Sequence, residues 1–146
     1  MKVYLNRILI AEDNENDLEL TLDALRIHNL ANNIDVARDG AEALDYLFYR
    51  GKFTDRKKGN PVVVLLDLKL PKVNGLEVLK QIRANEKTKS TPVVILTSSR
   101  EEKDIIEGYK LGINAYVVKP VEFEKFMKAV ETLGTFWALI NEPPKE

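Results

Sequence analysis

Five short apolar runs rich in β-branched residues recur along the chain: RILIAE (7–12), IDVA (34–37), VVVLL (62–66), PVVILT (92–97) and AYVV (115–118). Longer stretches with helical spacing separate them. Leu18, Leu22 and Leu25 mark a helix over about 16–29. Ala43, Leu44, Leu47 and Phe48 mark one over 40–49, and Leu76, Val78, Leu79 and Ile82 one over 75–84. Strands that alternate with helices pair in parallel, because each return to the same edge of a sheet needs a crossover of a dozen or more residues. The run Val62 to Leu66 is apolar at every position, as a strand covered on both faces must be. The pattern therefore predicts one parallel sheet with helices on both sides.

The punctuation supports this division. Gly51, Gly59 and Pro61 bracket a polar segment before the third strand, which predicts a long, mobile loop. Pro92 opens the fourth strand. The last helix is the longest, with Phe123, Phe126, Met127, Val130, Leu133, Trp137 and Ile140 at steps of three or four, a stripe suited to packing on the sheet. At 146 residues the chain suffices for one domain that buries roughly two-thirds of its unfolded surface, and no internal repeat or second domain is visible. The expected unit is a single domain over 1–146, its core at about 6–135 and its last helix reaching about 141.

Composition narrows the chemistry. A net charge of −1 lacks the basic excess of a protein that tracks nucleic-acid phosphates, so no nucleic-acid partner is expected. With no cysteine, thiolate nucleophiles, disulfides and zinc–thiolate sites are excluded. No segment approaches the ~20 apolar residues of a membrane span, and no signal-peptide core is present, which gives the expectation of a cytoplasmic protein without membrane contact.

In an open parallel sheet, ligands bind outside the carboxyl ends of the strands. Here the first strand ends in Glu12-Asp13, the third in Asp67, the fourth in Thr97 and the fifth in Lys119. Each has an ordinary explanation alone: Asp13 or Asn14 as cap of the first helix, Thr97 or Ser98 as cap of the fourth, Asp67 as a turn residue, Lys119 as a surface charge. Together they place three acids, a hydroxyl and an amine at one edge. Carboxylates gathered at low exposure repel unless a cation joins them, and an all-oxygen set favours Mg²⁺. Mg²⁺ in turn accepts a phosphate oxygen, so the edge is suited to gathering a phosphoryl group beside a carboxylate.

The set Glu12-Asp13, Asp67 in DLKLPKVNG, Thr97 in VVILTSS and Tyr116-Val117-Val118-Lys119-Pro120 resembles the receiver domain of two-component response regulators, over roughly residues 6–135. The resemblance implies a flavodoxin-like (βα)5 doubly wound sheet with strand order 2-1-3-4-5. It further implies Asp67 as phosphoacceptor, with Mg²⁺ held by Glu12, Asp13, Asp67 and the backbone carbonyl of Lys69. Lys119 would bind the phosphoryl group, Thr97 and Tyr116 would form the switch pair, and the bond before Pro120 would be cis. The ED pair, the long loop before the third strand and Phe136-Trp137 in the last helix are similar to the small regulators paired with phytochrome-type histidine kinases.

The function so implied is a stand-alone receiver phosphorylated by a histidine kinase, signalling through helix four, strand five and helix five to a separate partner. The alternative is a phosphorelay intermediate or phosphate sink. Phe136-Trp137 suits a core extension, a partner site or a homodimer seam, with helix four, strand five and helix five as the other dimer surface. Lys69 and Ser99 lie two residues past Asp67 and Thr97; Lys69 is placed to alter access of the hydrolytic water. His28 reads as a residue near the end of helix one. A Mg²⁺-dependent aspartyl phosphatase typically has a second Asp two residues after its nucleophile, where this chain has Lys69, and no GxxxxGK[ST] follows the first strand. A turnover enzyme on external substrates is therefore not expected. A pure interaction protein with a dead site is disfavoured by the intact acids, Thr97 and Lys119.

Overall fold

The computed structural model describes residues 7–27 and 33–119, together with 124, 125 and 128. Its elements run β1 (Ile8–Ala11), α1 (Glu15–Ile27), β2 (Ile34–Ala37), α2 (Gly40–Leu47), β3 (Val63–Leu66), α3 (Gly75–Ala84), β4 (Val93–Thr97), α4 (Glu102–Lys110) and β5 (Ala115–Val118). All strand pairs are parallel and the order is β2-β1-β3-β4-β5. That is the expected doubly wound sheet, with every strand within a residue or two of its apolar run.

Alternate residues of each strand enter two separate cores. Leu9, Ala11, Val64, Leu66, Val93 and Ile95 meet Leu44 and Leu47 of α2 and Val78, Leu79 and Ile82 of α3. Ile8, Ile10, Val63, Leu65, Val94 and Leu96 point the other way, toward Leu18 and Leu25 of α1. Coverage on both faces is why VVVLL carries no polar residue: every side chain of the strand is buried.

Helix starts follow side-chain capping. Asn14 accepts the Asp17 N–H at 2.9 Å, Asp39 the Glu42 N–H at 2.7 Å and Asn74 the Glu77 N–H at 3.0 Å. The fourth helix begins after Glu101, four residues beyond Thr97, so the ordinary alternative of Thr97 or Ser98 as its cap does not hold. The polar loop before β3 is also better anchored than its composition suggests. A 3₁₀ turn at Gly51–Phe53 is followed by Arg56, which donates to the carbonyls of Tyr46 (2.8 Å) and Gly59 (3.0 Å) and stacks over the Tyr46 and Tyr49 rings. The last helix beyond 128, Phe136-Trp137, His28 and Pro120 lie outside the described residues.

Two glycines fix the path of the chain after β3. A Cβ on Gly75 would stand 2.2 Å from the Asp67 carbonyl oxygen, and one on Gly40 would stand 1.8 Å from that of Val73. The starts of α2 and α3 therefore press directly on the β3–α3 loop. Gly75 N–H bonds the Leu68 carbonyl at 2.8 Å and Gly40 N–H the Pro71 carbonyl at 3.1 Å. No larger residue fits at either position without moving backbone.

Candidate functional site

The carboxyl ends of β1, β3, β4 and β5 deliver their polar residues to one place. Glu12, Asp13 and Asp67 each offer an oxygen within 4.8 Å of the others. Glu12 and Asp67 are buried, while Asp13 is exposed, so the expectation of three poorly exposed acids holds for two. The Lys119 ammonium comes from the end of β5 and donates to Glu12, to Asp67 Oδ2 at 3.0 Å and to Asp17 Oδ2 at 3.0 Å. Its side chain is only 9% exposed, which rules out a solvated surface charge. Lys69 points outward, and its N–H donates to Asp67 Oδ1 at 3.3 Å.

Charge is unevenly distributed here. Three carboxylates, Glu12, Asp17 and Asp67, share one ammonium, with Asp13 adding a fourth negative group to the cluster, and the electrostatics reflect that excess. Burial pushes the Glu12 carboxyl up from 4.5 to about 7; the bond from Lys119 opposes this and the neighbouring Asp67 charge adds to it. For Lys119, burial disfavours the charged form, but the bonds to Glu12, Asp17 and Asp67 outweigh it and hold the amine protonated above its ordinary range. An all-oxygen set with excess negative charge fits a hard divalent cation such as Mg²⁺ or Mn²⁺, and contains no ligand that would favour zinc.

A second cluster adjoins the first. Thr97 is fully buried at the end of β4, and its hydroxyl oxygen accepts the Ser99 N–H at 3.3 Å. Ser99 Oγ donates to Asp104 of α4 at 2.6 Å and accepts the Glu101 N–H at 3.3 Å, and the Ser99 carbonyl accepts the Tyr116 hydroxyl at 3.0 Å. Burial raises the Tyr116 phenol, with Asp104, Glu101 and Asp67 adding to the shift, so it stays a donor at neutral pH. The expected pair Thr97 and Tyr116 is thus joined through Ser99. Lys119 N–H meanwhile bonds the Thr97 carbonyl at 2.8 Å, linking the two clusters through the sheet.

Of the residues singled out from sequence, the structure brings Glu12, Asp13, Asp67 and Lys119 together and places Thr97 and Tyr116 beside them; Pro120 lies outside the described residues. Sequence reasoning missed Asp17 and the linking role of Ser99. Asp17 stands in the acid-rich run EDNENDLE, three residues after the capping Asn14, and that position on the first turn was the available signal.

This fold and edge geometry define a class. Residues 8–131 match the family model of the response regulator receiver domain, and the chain belongs to that family. Among solved structures it is similar to the bacteriophytochrome response regulator RtBRR, at 58% identity over 99% of this chain and 85% of that one, with a TM-score of 0.83. The bacteriophytochrome response regulator AtBRR is 57% identical over 97% of this chain and 99% of that one, also at a TM-score of 0.83. Response regulator Rcp1 of Synechocystis is 35% identical over 89% of this chain and 87% of its own length. A structure of its Mn²⁺-bound form superposes at a TM-score of 0.73, covering 90% of this chain and 93% of that one. The protein is therefore a receiver related to phytochrome-associated response regulators. Among the described residues, no helix is long and apolar enough to cross a membrane.

Proposed function

We propose that Asp67 accepts a phosphoryl group from the phosphohistidine of a phytochrome-type histidine kinase. The observation that carries this reading is the setting of Asp67: a buried carboxylate at the end of the central strand, within 4.8 Å of two other acids and bonded to a buried lysine. An Asp67 oxygen attacks phosphorus in line, the P–O bond forms as the P–N bond breaks, and the imidazole, protonated on its other ring nitrogen, leaves as the neutral base. Glu12, Asp13, Asp67 and the Lys69 carbonyl would hold Mg²⁺, which when bound supplies positive charge beside the phosphoryl oxygens. Lys119 gives an ammonium donor to the same oxygens, and Thr97 gives a hydroxyl.

The phosphorylated carboxylate carries added negative charge that draws the Thr97 hydroxyl, and Thr97 is tied through Ser99 to Tyr116 and α4. A shift there alters the face around α4 and β5, which passes the signal to a separate partner or a second copy of this chain. In this reading the protein is a single receiver domain of the cytoplasm that acts without nucleic acid. The kinase assignment rests on the similarity to the two bacteriophytochrome response regulators.

The test is phosphorylation by acetyl phosphate with Mg²⁺, followed by a kinase panel. Wild type is expected to label and Asp67→Asn to remain unlabelled. A wild-type protein that stays unlabelled by acetyl phosphate and by every phytochrome-type kinase tried would falsify the proposal.

A further inference from the structure

The three protons of the Lys119 ammonium are all committed, one each to Glu12, Asp17 and Asp67. Two of these acceptors belong to the trio that offers convergent oxygens to a cation, whereas Asp17 does not. A divalent ion and the ammonium thus compete for Glu12 and Asp67. At 9% exposure, an ammonium that yields those two oxygens needs another partner, because a buried charge without one is costly.

Asp17 is placed to be that partner. It sits in the first turn of α1, where its N–H is taken by Asn14 at 2.9 Å, and its side chain is 36% exposed, the most open of the three acceptors. An acid at this third helical position commonly reaches back to the backbone N–H of the capping residue. Here the Asn14 N–H is bonded instead by Glu12 Oε2 at 3.2 Å, which leaves the Asp17 carboxylate available to Lys119.

We infer that Asp17 is a positioning residue: it retains Lys119 beside the site when Glu12 and Asp67 turn to a divalent cation, and so makes metal binding cheaper. The inference rests on the proposed assignment of Glu12, Asp13 and Asp67 as Mg²⁺ ligands. A plain electrostatic role for Asp17 would also favour a cation, but that role does not depend on Lys119, and the difference is measurable.

Mg²⁺ affinity is to be measured by calorimetry in a double-mutant cycle of Asp17→Asn and Lys119→Met, with Lys119→Gln as the second background should Lys119→Met fail to fold. Asp17→Asn is expected to weaken Mg²⁺ binding about tenfold when Lys119 is present and less than twofold when it is absent. An equal loss in both backgrounds reduces Asp17 to a nearby negative charge and overturns the inference, as does no loss in the presence of Lys119. Wild type that binds no Mg²⁺ overturns both this inference and the ligand assignment it rests on. Binding in wild type that Asp13→Asn abolishes, without coupling between Asp17 and Lys119, overturns the inference alone.

Discussion

Two clusters in this molecule each set carboxylate charge against one basic side chain, and they behave in opposite ways. Beside β2, Asp35 takes both Nε and Nη2 of Arg7, at 2.7 and 2.8 Å, and the Tyr46 hydroxyl at 2.6 Å. Burial works against the Asp35 carboxylate, but those bonds outweigh it and hold its pKa below the usual range. At the carboxyl end of the sheet, Glu12 is bonded by Lys119 and its pKa is nevertheless raised. The difference is balance. Asp35 has three donors to itself, while Glu12, Asp17 and Asp67 share one ammonium. A satisfied cluster holds the fold together, and an over-acidic one is left with a demand for positive charge that a ligand can meet.

The contrast is tested first by pH. Glu12 has a folded pKa above its unfolded value, so the folded state binds the extra proton between about 4.5 and 7. Its stabilising contribution is full below that window and is lost as pH rises through it. The loss is on the order of 3 kcal/mol at most. Asp35, with a depressed folded pKa, contributes stability above the ordinary carboxylate range that disappears as pH falls. Urea unfolding without divalent ions should therefore show stability falling from pH 4.5 to 7, and Glu12→Gln should flatten that slope. Saturating Mg²⁺ should restore stability most at the upper end of the window, because the ion competes with the Glu12 proton. A wild-type profile flat across the window would contradict the unbalanced cluster.

Single substitutions sharpen the same contrast. Asp35→Ala strands Arg7 and Tyr46 and is expected to cost about 2 kcal/mol in chemical denaturation. Asp67→Asn removes a charge from the acidic cluster and is expected to raise metal-free stability by about 1 kcal/mol at pH 7, even as it removes the proposed phosphoacceptor. If Asp67→Asn destabilises as much as Asp35→Ala, the two clusters are of one kind. The smallest effect is expected of Ser99→Ala, which removes the bond to Asp104 and the acceptor for Glu101 N–H. A loss of about 0.5 kcal/mol should appear as faster amide exchange in the first turn of α4.

These differences track what was legible in the sequence. The strands were, because continuous runs such as VVVLL have no other stable use in a small parallel sheet. Glu12, Asp13, Asp67, Thr97 and Lys119 were found because each directly terminates or follows such a run. Asp17 was not, since its importance depends on a lysine 102 residues away reaching the first turn of α1. The start of α4 was not legible, because Ser99 supplies its oxygen to Glu101 N–H from two residues upstream rather than from the capping position itself. The loop before β3 is polar by composition, yet Arg56 anchors it through stacking and bonds to carbonyls, and neither leaves an apolar pattern.

The glycines at 40 and 75 give the site a preferred direction. With α2 and α3 seated against the chain that follows Asp67, that flank has no slack, since even one added carbon would collide with backbone. The opposite flank is held by hydrogen bonds of Ser99, Asp104 and Tyr116, which can be exchanged without rebuilding the chain. Under the proposed function, a phosphoryl group on Asp67 would therefore meet an anvil on one side and a latch on the other, and its mechanical outlet would be toward α4 and β5.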